Sequence, residues 1–289
     1  MSKELQTLFL GPDISMTDIV IIEQGHRERY YWRELWRYRE LFAALALRDL
    51  SVRYKQTAIG VLWAIVRPVL TVLVFTIIFG KIAKLPSEGS IPYPLMVFAG
   101  MLPWTFFGTG LAEAGNSLIT SSNLISKVYF PRMVVPCATL VVALADFAIN
   151  LMLMAVMLLW YGVSPGPRIL LLPIFLALNW IATLGPALWI TALTVKYRDF
   201  RFVTPFIVQF GLYVSPVGFS SSIVPDKWRL LYSLNPMVSV IDGFRWCFLG
   251  DQSAIYWPGA GLGAGVAILL LWFGISQFRK MEKSFADLI

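Results

Sequence analysis

Six apolar stretches, each long enough to cross a lipid bilayer as a helix, limit what this chain can fold into. They lie near residues 58–82, 91–113, 133–162, 168–195, 202–220 and 256–278. A spanning helix needs about 20 apolar residues, because backbone inside hydrocarbon has no water to satisfy its N–H and C=O groups. Hydrophobic residues make up 57% of the chain and charged residues 14%, which excludes an ordinary soluble domain. No run of alternating strands competes with the six stretches, which argues against a β-barrel. The fold class is therefore all-α, an integral membrane protein with six transmembrane helices. Pro205 and Pro216 cut the fifth stretch, so a broken or re-entrant helix is expected there.

Positively charged loops resist translocation, and this sets the orientation. With six spans and both termini in the cytoplasm, inside segments hold about seventeen Lys and Arg and outside segments about six. The formal charge of +7 then reflects topology and contact with anionic lipid, with no need for nucleic acid. Cys137 and Cys247 fall on opposite sides of the membrane and read as apolar filler. His26 is the single histidine and lacks the company of a metal site.

Residues 30–55, just before the first span, form an arginine-studded helix. At about 100° per residue, Trp32, Leu35, Trp36, Leu41, Phe42, Leu45 and Leu50 fall on one broad face, with Arg33, Arg37 and Arg48 opposite. Arg39 and Asp49 land on the apolar side. Such a segment lies flat at a membrane surface, preceded by a cytoplasmic lead, 1–29, and followed by a bend at 56–60. The first span carries Arg67 before Pro68, roughly 15 Å inside at about 1.5 Å per residue. A charge there has to be answered, and Asp146 on the third span is the expected partner, with Glu113 as runner-up.

Between the fifth and sixth spans, residues 222–250 are too apolar for a solvated loop and too interrupted for a span. Ser233 to Pro236 divides them into two short helices, which are expected to dip into the outer leaflet as re-entrant elements. Gly259, Gly261, Gly263 and Gly265 offer close packing in the last span. The sequence contains no phosphate-binding Gly-rich loop, no nucleophile elbow and no Cys/His ligand set, so no catalytic or metal residue is assigned.

The surface helix running into GVLWAIVRPVL, the loop containing KVYFPRMVVP, the turn KYRDF and LNPMVSVIDGFR before the last span resemble the permease subunits of type 2 ABC exporters for polysaccharides and polyol phosphates. The resemblance covers nearly the whole chain from Tyr30 onward. It implies a homodimer paired through the first and fifth spans, with two separate ATPase subunits that hold ATP and magnesium. No cofactor is implied on this chain. It also implies that helix 30–55 and the inside loop 114–131, with Arg33, Arg37, Arg48, Lys127 and Arg132, receive the ATPase's motion. The helices within 222–250 act as an outer gate, with Asn235 and Pro236 at their bend and Arg245 near headgroups or the pore mouth.

The permease domain then covers 56–278, with a cytoplasmic tail at 279–289. Trp63, Phe75 and Phe79 on the first span and Phe206, Phe210 and Tyr213 on the fifth offer an aromatic path on which sugar rings can stack; the alternative is that they pack in the bundle or form interfacial belts. The expected function is export of a lipid-linked polysaccharide, of O-antigen or capsule type, across a bacterial cytoplasmic membrane. Alternatives are a teichoic-acid or small-amphiphile exporter, a multispan transferase of lipid-linked sugar, and a proton-coupled carrier using Arg67 and Asp146.

Overall fold

A computed structural model describes residues 31–55, 60–250, 253 and 255–285. The lead before Tyr31, with His26, and the bend at 56–59 lie outside the described residues. Every regular element among the described residues is helical. Helices α1 (Tyr31–Arg37) and α2 (Arg39–Lys55) precede the first span. The hydrogen-bond ladder crosses their junction through Tyr38 N–H to Glu34 and Phe42 N–H to Tyr38, at 3.1 and 3.0 Å. Helix α3 (Gly60–Phe75) continues into a π-helical segment, Thr76–Ile82. After it come α4 (Tyr93–Thr120), the short α5 (Ser122–Ile125), α6 (Val134–Trp160) and α7 (Leu172–Lys196). Helices α8 (Phe200–Val214), α9 (Asp226–Tyr232), α10 (Pro236–Leu249) and α11 (Trp257–Glu282) complete the order.

Five segments among the described residues are long and apolar enough to cross a membrane: Leu62–Ile82, Tyr93–Thr120, Val134–Trp160, Pro167–Lys196 and Trp257–Glu282. The expectation of six is met in part, because α8 has only 15 residues, or about 22 Å against a hydrocarbon core of about 30 Å. Pro205 is tolerated inside α8. Pro216 ends it by restricting the residue before it, and Ser215 is extended at φ −85°, ψ 152°.

Helix α4 occupies the centre and packs against α3, α6, α7, α8 and α10, while α11 runs along α7. The main core joins α4, α6, α7 and α10. A second cluster at the basal end gathers Tyr31, Leu45 and Ala46 of α1 and α2, Ile125 of α5, the start of α6, and Phe278 and Phe285 near the end of α11.

Four features differ from the sequence reading. Residues 114–120 are not loop but the last turns of α4. Their polar side chains bond back to the helix itself, Ser117 Oγ to Ala114 O at 2.7 Å and Asn116 Nδ2 to Ala112 O at 2.9 Å. Helices α1 and α2 are less cleanly two-faced than the wheel suggests. Trp32, Trp36, Leu47 and Val52 are exposed, whereas Leu45 and Ala46 face α6 and the basal cluster. Helix α10, expected to lie against the outer leaflet, is instead buried on nearly all sides among α4, α7 and α11 of the same chain. In the last span, Gly259 and Gly263 approach Ser233 and Ser239, where a Cβ would meet hydroxyls at 2.3 and 2.2 Å. Gly261 and Gly265 face open space. Both cysteines are free.

Candidate coupling, conduit and gate sites

At the basal end, Arg33 and Arg37 of α1 and Arg48 of α2 are exposed. Arg48 is engaged with its neighbour Asp49, at 2.8 Å. Lys127, after α5, is also exposed. Arg132 is tied inward: its N–H reaches Glu282 Oε1 at 2.8 Å and its Nη1 donates to the Glu282 carbonyl at 2.6 Å. Tyr31 donates to the other oxygen of Glu282, at 3.2 Å, and Arg279 sits 4.6 Å over the Tyr31 ring. The chain after α5, the end of α11 and the start of α1 therefore share one carboxylate.

Where α2 meets the bundle, Arg53 bridges two acids on different spans. It contacts Glu113 of α4 and approaches Asp146 of α6 to 2.5 Å, and Tyr54 donates its hydroxyl to the same Asp146. Burial pulls the Arg53 guanidinium down, but Glu113 and Asp146 outweigh it and the net effect is upward. The Tyr54 phenol is raised by burial and by its bond to Asp146. The expected Arg67–Asp146 pair is thus corrected. Asp146 is answered by the end of the surface helix, and the runner-up acid Glu113 shares the same arginine. Arg67 lines a cavity with Asp146 but forms no ion pair among the described residues, its guanidinium lying 6.0 Å from the Trp63 ring.

The six aromatic residues expected along the path divide by environment. Phe206 and Phe210 are 69% and 61% exposed and stack on each other, with centroids 6.2 Å apart and rings within 14°. Tyr213, one turn on, is exposed as well, and so is Trp63 on α3. Phe75 departs from the expectation: it is 7% exposed and packs in the main core with half-buried Phe79 against it, at 5.2 Å. The two sit beneath Gly218, so these rings support the fold.

At the opposite end, Arg245, expected near headgroups or the pore mouth, is 0% exposed. Its guanidinium forks onto backbone: Nη1 donates to the Phe219 carbonyl and Nη2 to the Val217 carbonyl, each at 2.9 Å, and Nε to the Met96 carbonyl at 3.3 Å. Glu88 lies 3.7 Å away and accepts from Ser220 at 2.7 Å. Ser221 donates to Asp242 at 2.6 Å, and Tyr93 donates to the Gly218 carbonyl. Gly100 makes room for the fork, since a Cβ there would sit 2.9 Å from Nη2. Asn235 caps α10 by accepting from Met237 N–H at 3.0 Å, with Pro236 at the first helical position. Its amide also donates to Ser215 Oγ at 2.9 Å. The segment 215–221, which follows α8, is thereby held to α4 and α10 by a polar clasp.

The sequence reading did not include Glu88, Tyr93, Ser221, Asp242, Arg53 or Tyr54. Asp242 three residues before Arg245, within an apolar stretch, was an available signal of internal pairing. The carbonyl acceptors carried none.

A short surface helix feeding a helical bundle, with no catalytic constellation in the sequence, agrees with the comparison to known proteins. The ABC-2 type transporter family profile matches residues 40–249. The chain belongs to the ABC-2 type transporter family. An O-antigen export system permease protein of Myxococcus xanthus is 30% identical over 260 residues, covering 89% of this chain and 98% of that protein. One from Klebsiella pneumoniae is 26% identical over 258 residues, covering 86% and 95%. A polysialic acid transport protein of Escherichia coli is 21% identical over 244 residues, covering 83% and 93%. This ABC-2 chain is accordingly a permease component and not an enzyme. The match spans α2 to α10 and so takes in both the Arg53 bridge and the Arg245 clasp.

Proposed function

We propose that this permease is the membrane-spanning half of an ATP-driven exporter that moves a lipid-linked polysaccharide of O-antigen or capsule type across the bacterial cytoplasmic membrane. It works as a homodimer with two copies of a separate ATPase, on which ATP and magnesium reside. Both termini face the cytoplasm, and α8 is the sixth, shortened crossing. The observation that carries this reading is the exposed aromatic row Phe206, Phe210 and Tyr213 on a helix whose apolar residues are largely uncovered in the single chain. Stacked rings accept the apolar faces of successive sugars without requiring one sequence. The names of the relatives supply the substrate class.

Coupling enters at α1, α2 and α5, with Arg33, Arg37, Arg48 and Lys127 at the docking surface and Arg132 holding that surface to α11. Motion of α2 reaches α4 and α6 through Arg53. The clasp at Arg245, together with the Asn235–Pro236 cap, governs the outer gate formed by α9 and α10. An ATPase docked to the base shifts the bundle only if it binds the two permease states unequally.

The test is co-purification of this chain with the ATPase and measurement of surface polysaccharide in cells lacking their own permease. Export should require ATP hydrolysis, and Phe206→Ala with Phe210→Ala should lower it about tenfold at unchanged assembly, the loss of about 1–3 kcal/mol of stacking. Transport or sugar transfer by the isolated chain, driven by a proton gradient or needing no ATPase, overturns the reading.

A further inference from the structure

The cavity of about 290 Å³ between α3, α4 and α6 is lined by Trp63, Arg67, Thr105, Thr109, Asp146 and Asn150, with Arg53 at its basal side. Its charges are paired unevenly. Asp146 is taken by Arg53, and Arg53 is shared with Glu113, whereas Arg67 is exposed on α3 and has no hydrogen bond or ion pair for its guanidinium among the described residues. A lone guanidinium facing apolar surroundings is costly and draws an anion. Within a bilayer the abundant anion is a phosphate esterified to lipid.

A second group points to the rest of the ligand. Asn150 is buried at 6% exposure; its amide N–H donates to the Asp146 carbonyl at 2.8 Å, leaving Oδ1 with no donor. A buried acceptor of this kind calls for an O–H or N–H, which a phosphate diester does not offer. The threonine hydroxyls of Thr105 and Thr109 line the same wall. The cavity meets the end of α2 at Arg53, and Arg67 lies only seven residues into α3, about 10 Å along its axis.

We infer that this cavity binds a lipid headgroup carrying both a phosphate and hydroxyl groups. Arg67 takes the phosphate, and Asn150 Oδ1 accepts from a headgroup hydroxyl. Two lipids share this chemistry, phosphatidylglycerol and a lipid-linked sugar phosphate; the second is the cargo end, and that arm alone rests on the exporter reading above.

The experiment is native mass spectrometry of the permease–ATPase complex from nanodiscs doped with one probe lipid at a time: phosphatidylglycerol, a polyprenyl-phosphate sugar, or phosphatidylmethanol, which has the same charge as phosphatidylglycerol and no hydroxyl. The first or second probe should be retained about tenfold more than phosphatidylmethanol. Arg67→Gln should abolish that retention, and Arg67→Lys should restore part of it. Asn150→Ala should remove only the preference over phosphatidylmethanol. Equal retention by wild type and Arg67→Gln, or no preference for the hydroxylated probes, overturns the site. Because retention is read without turnover, loss of the site with export intact is separable from failure of the exporter reading. Retention of phosphatidylglycerol but not of the sugar lipid assigns the site to a resident lipid.

Discussion

The first and second spans teach opposite lessons about what apolarity means in a membrane. The stretch Leu62–Ile82 is the more hydrophobic of the two, yet only 17% of its window is buried inside the protein; Tyr93–Thr120 is more polar, and 78% of its window is buried. In a soluble domain that order would be reversed. In a bilayer the lipid is as apolar as leucine, so apolar side chains gain nothing by turning inward. Small and polar residues gain by meeting one another. Helix α4 shows the result: Gly108, Gly110, Ala114, Gly115 and Ser117 let neighbours approach, and Thr191 of α7 donates to the Ala114 carbonyl at 2.8 Å.

The contrast can be tested by perturbing each side. The largest effect belongs to the buried clasp. Arg245→Met leaves the carbonyls of Val217 and Phe219 without donors and Glu88 without its cation, a loss of about 3–5 kcal/mol; thermal unfolding in detergent should report a collapse of stability. Next comes size. Ala114→Phe on α4 should cost about 1–3 kcal/mol through overpacking, whereas Leu73→Phe on exposed α3 should stay within about 0.5 kcal/mol. Equal costs at the two sites would dissolve the distinction.

A smaller effect is expected at Arg53, whose side chain is about one-third exposed. Solvent screening there limits the loss for Arg53→Gln to about 1 kcal/mol, and the specific sign is faster amide hydrogen exchange along α2 with α4 unchanged. The smallest effect on stability, within about 0.5 kcal/mol, is expected for Phe206→Ala and Phe210→Ala, the pair whose export defect was set out above.

Much of the architecture was legible in the sequence. Spans announce themselves by length and apolarity, and the ends of α6, α7 and α11 fall within a few residues of the apolar windows. The pattern failed where a polar residue satisfies itself locally. Asn116, Ser117 and Thr120 look like loop and are helix, because each donates to a carbonyl three or four residues back. It failed again where a charge is answered by backbone. The sequence places Arg245 near headgroups or the pore mouth because its acceptors are carbonyls brought together only by the fold. The sequence pairs Arg67 with Asp146 because it reads α2 as lying flat; the last turn of α2 instead reaches the bundle, and Arg53 takes Asp146.

The shortness of α8 bears on the bilayer itself. On the proposal that α8 is a crossing, its length of about 22 Å against hydrocarbon of about 30 Å is a mismatch that bordering lipid would meet by thinning. On the same proposal, the side of the protein that displays stacked aromatic rings would also be the side where the oily barrier is thinnest. A sugar chain drawn along the proposed path past Phe206 and Phe210 would then meet a membrane already dimpled toward it.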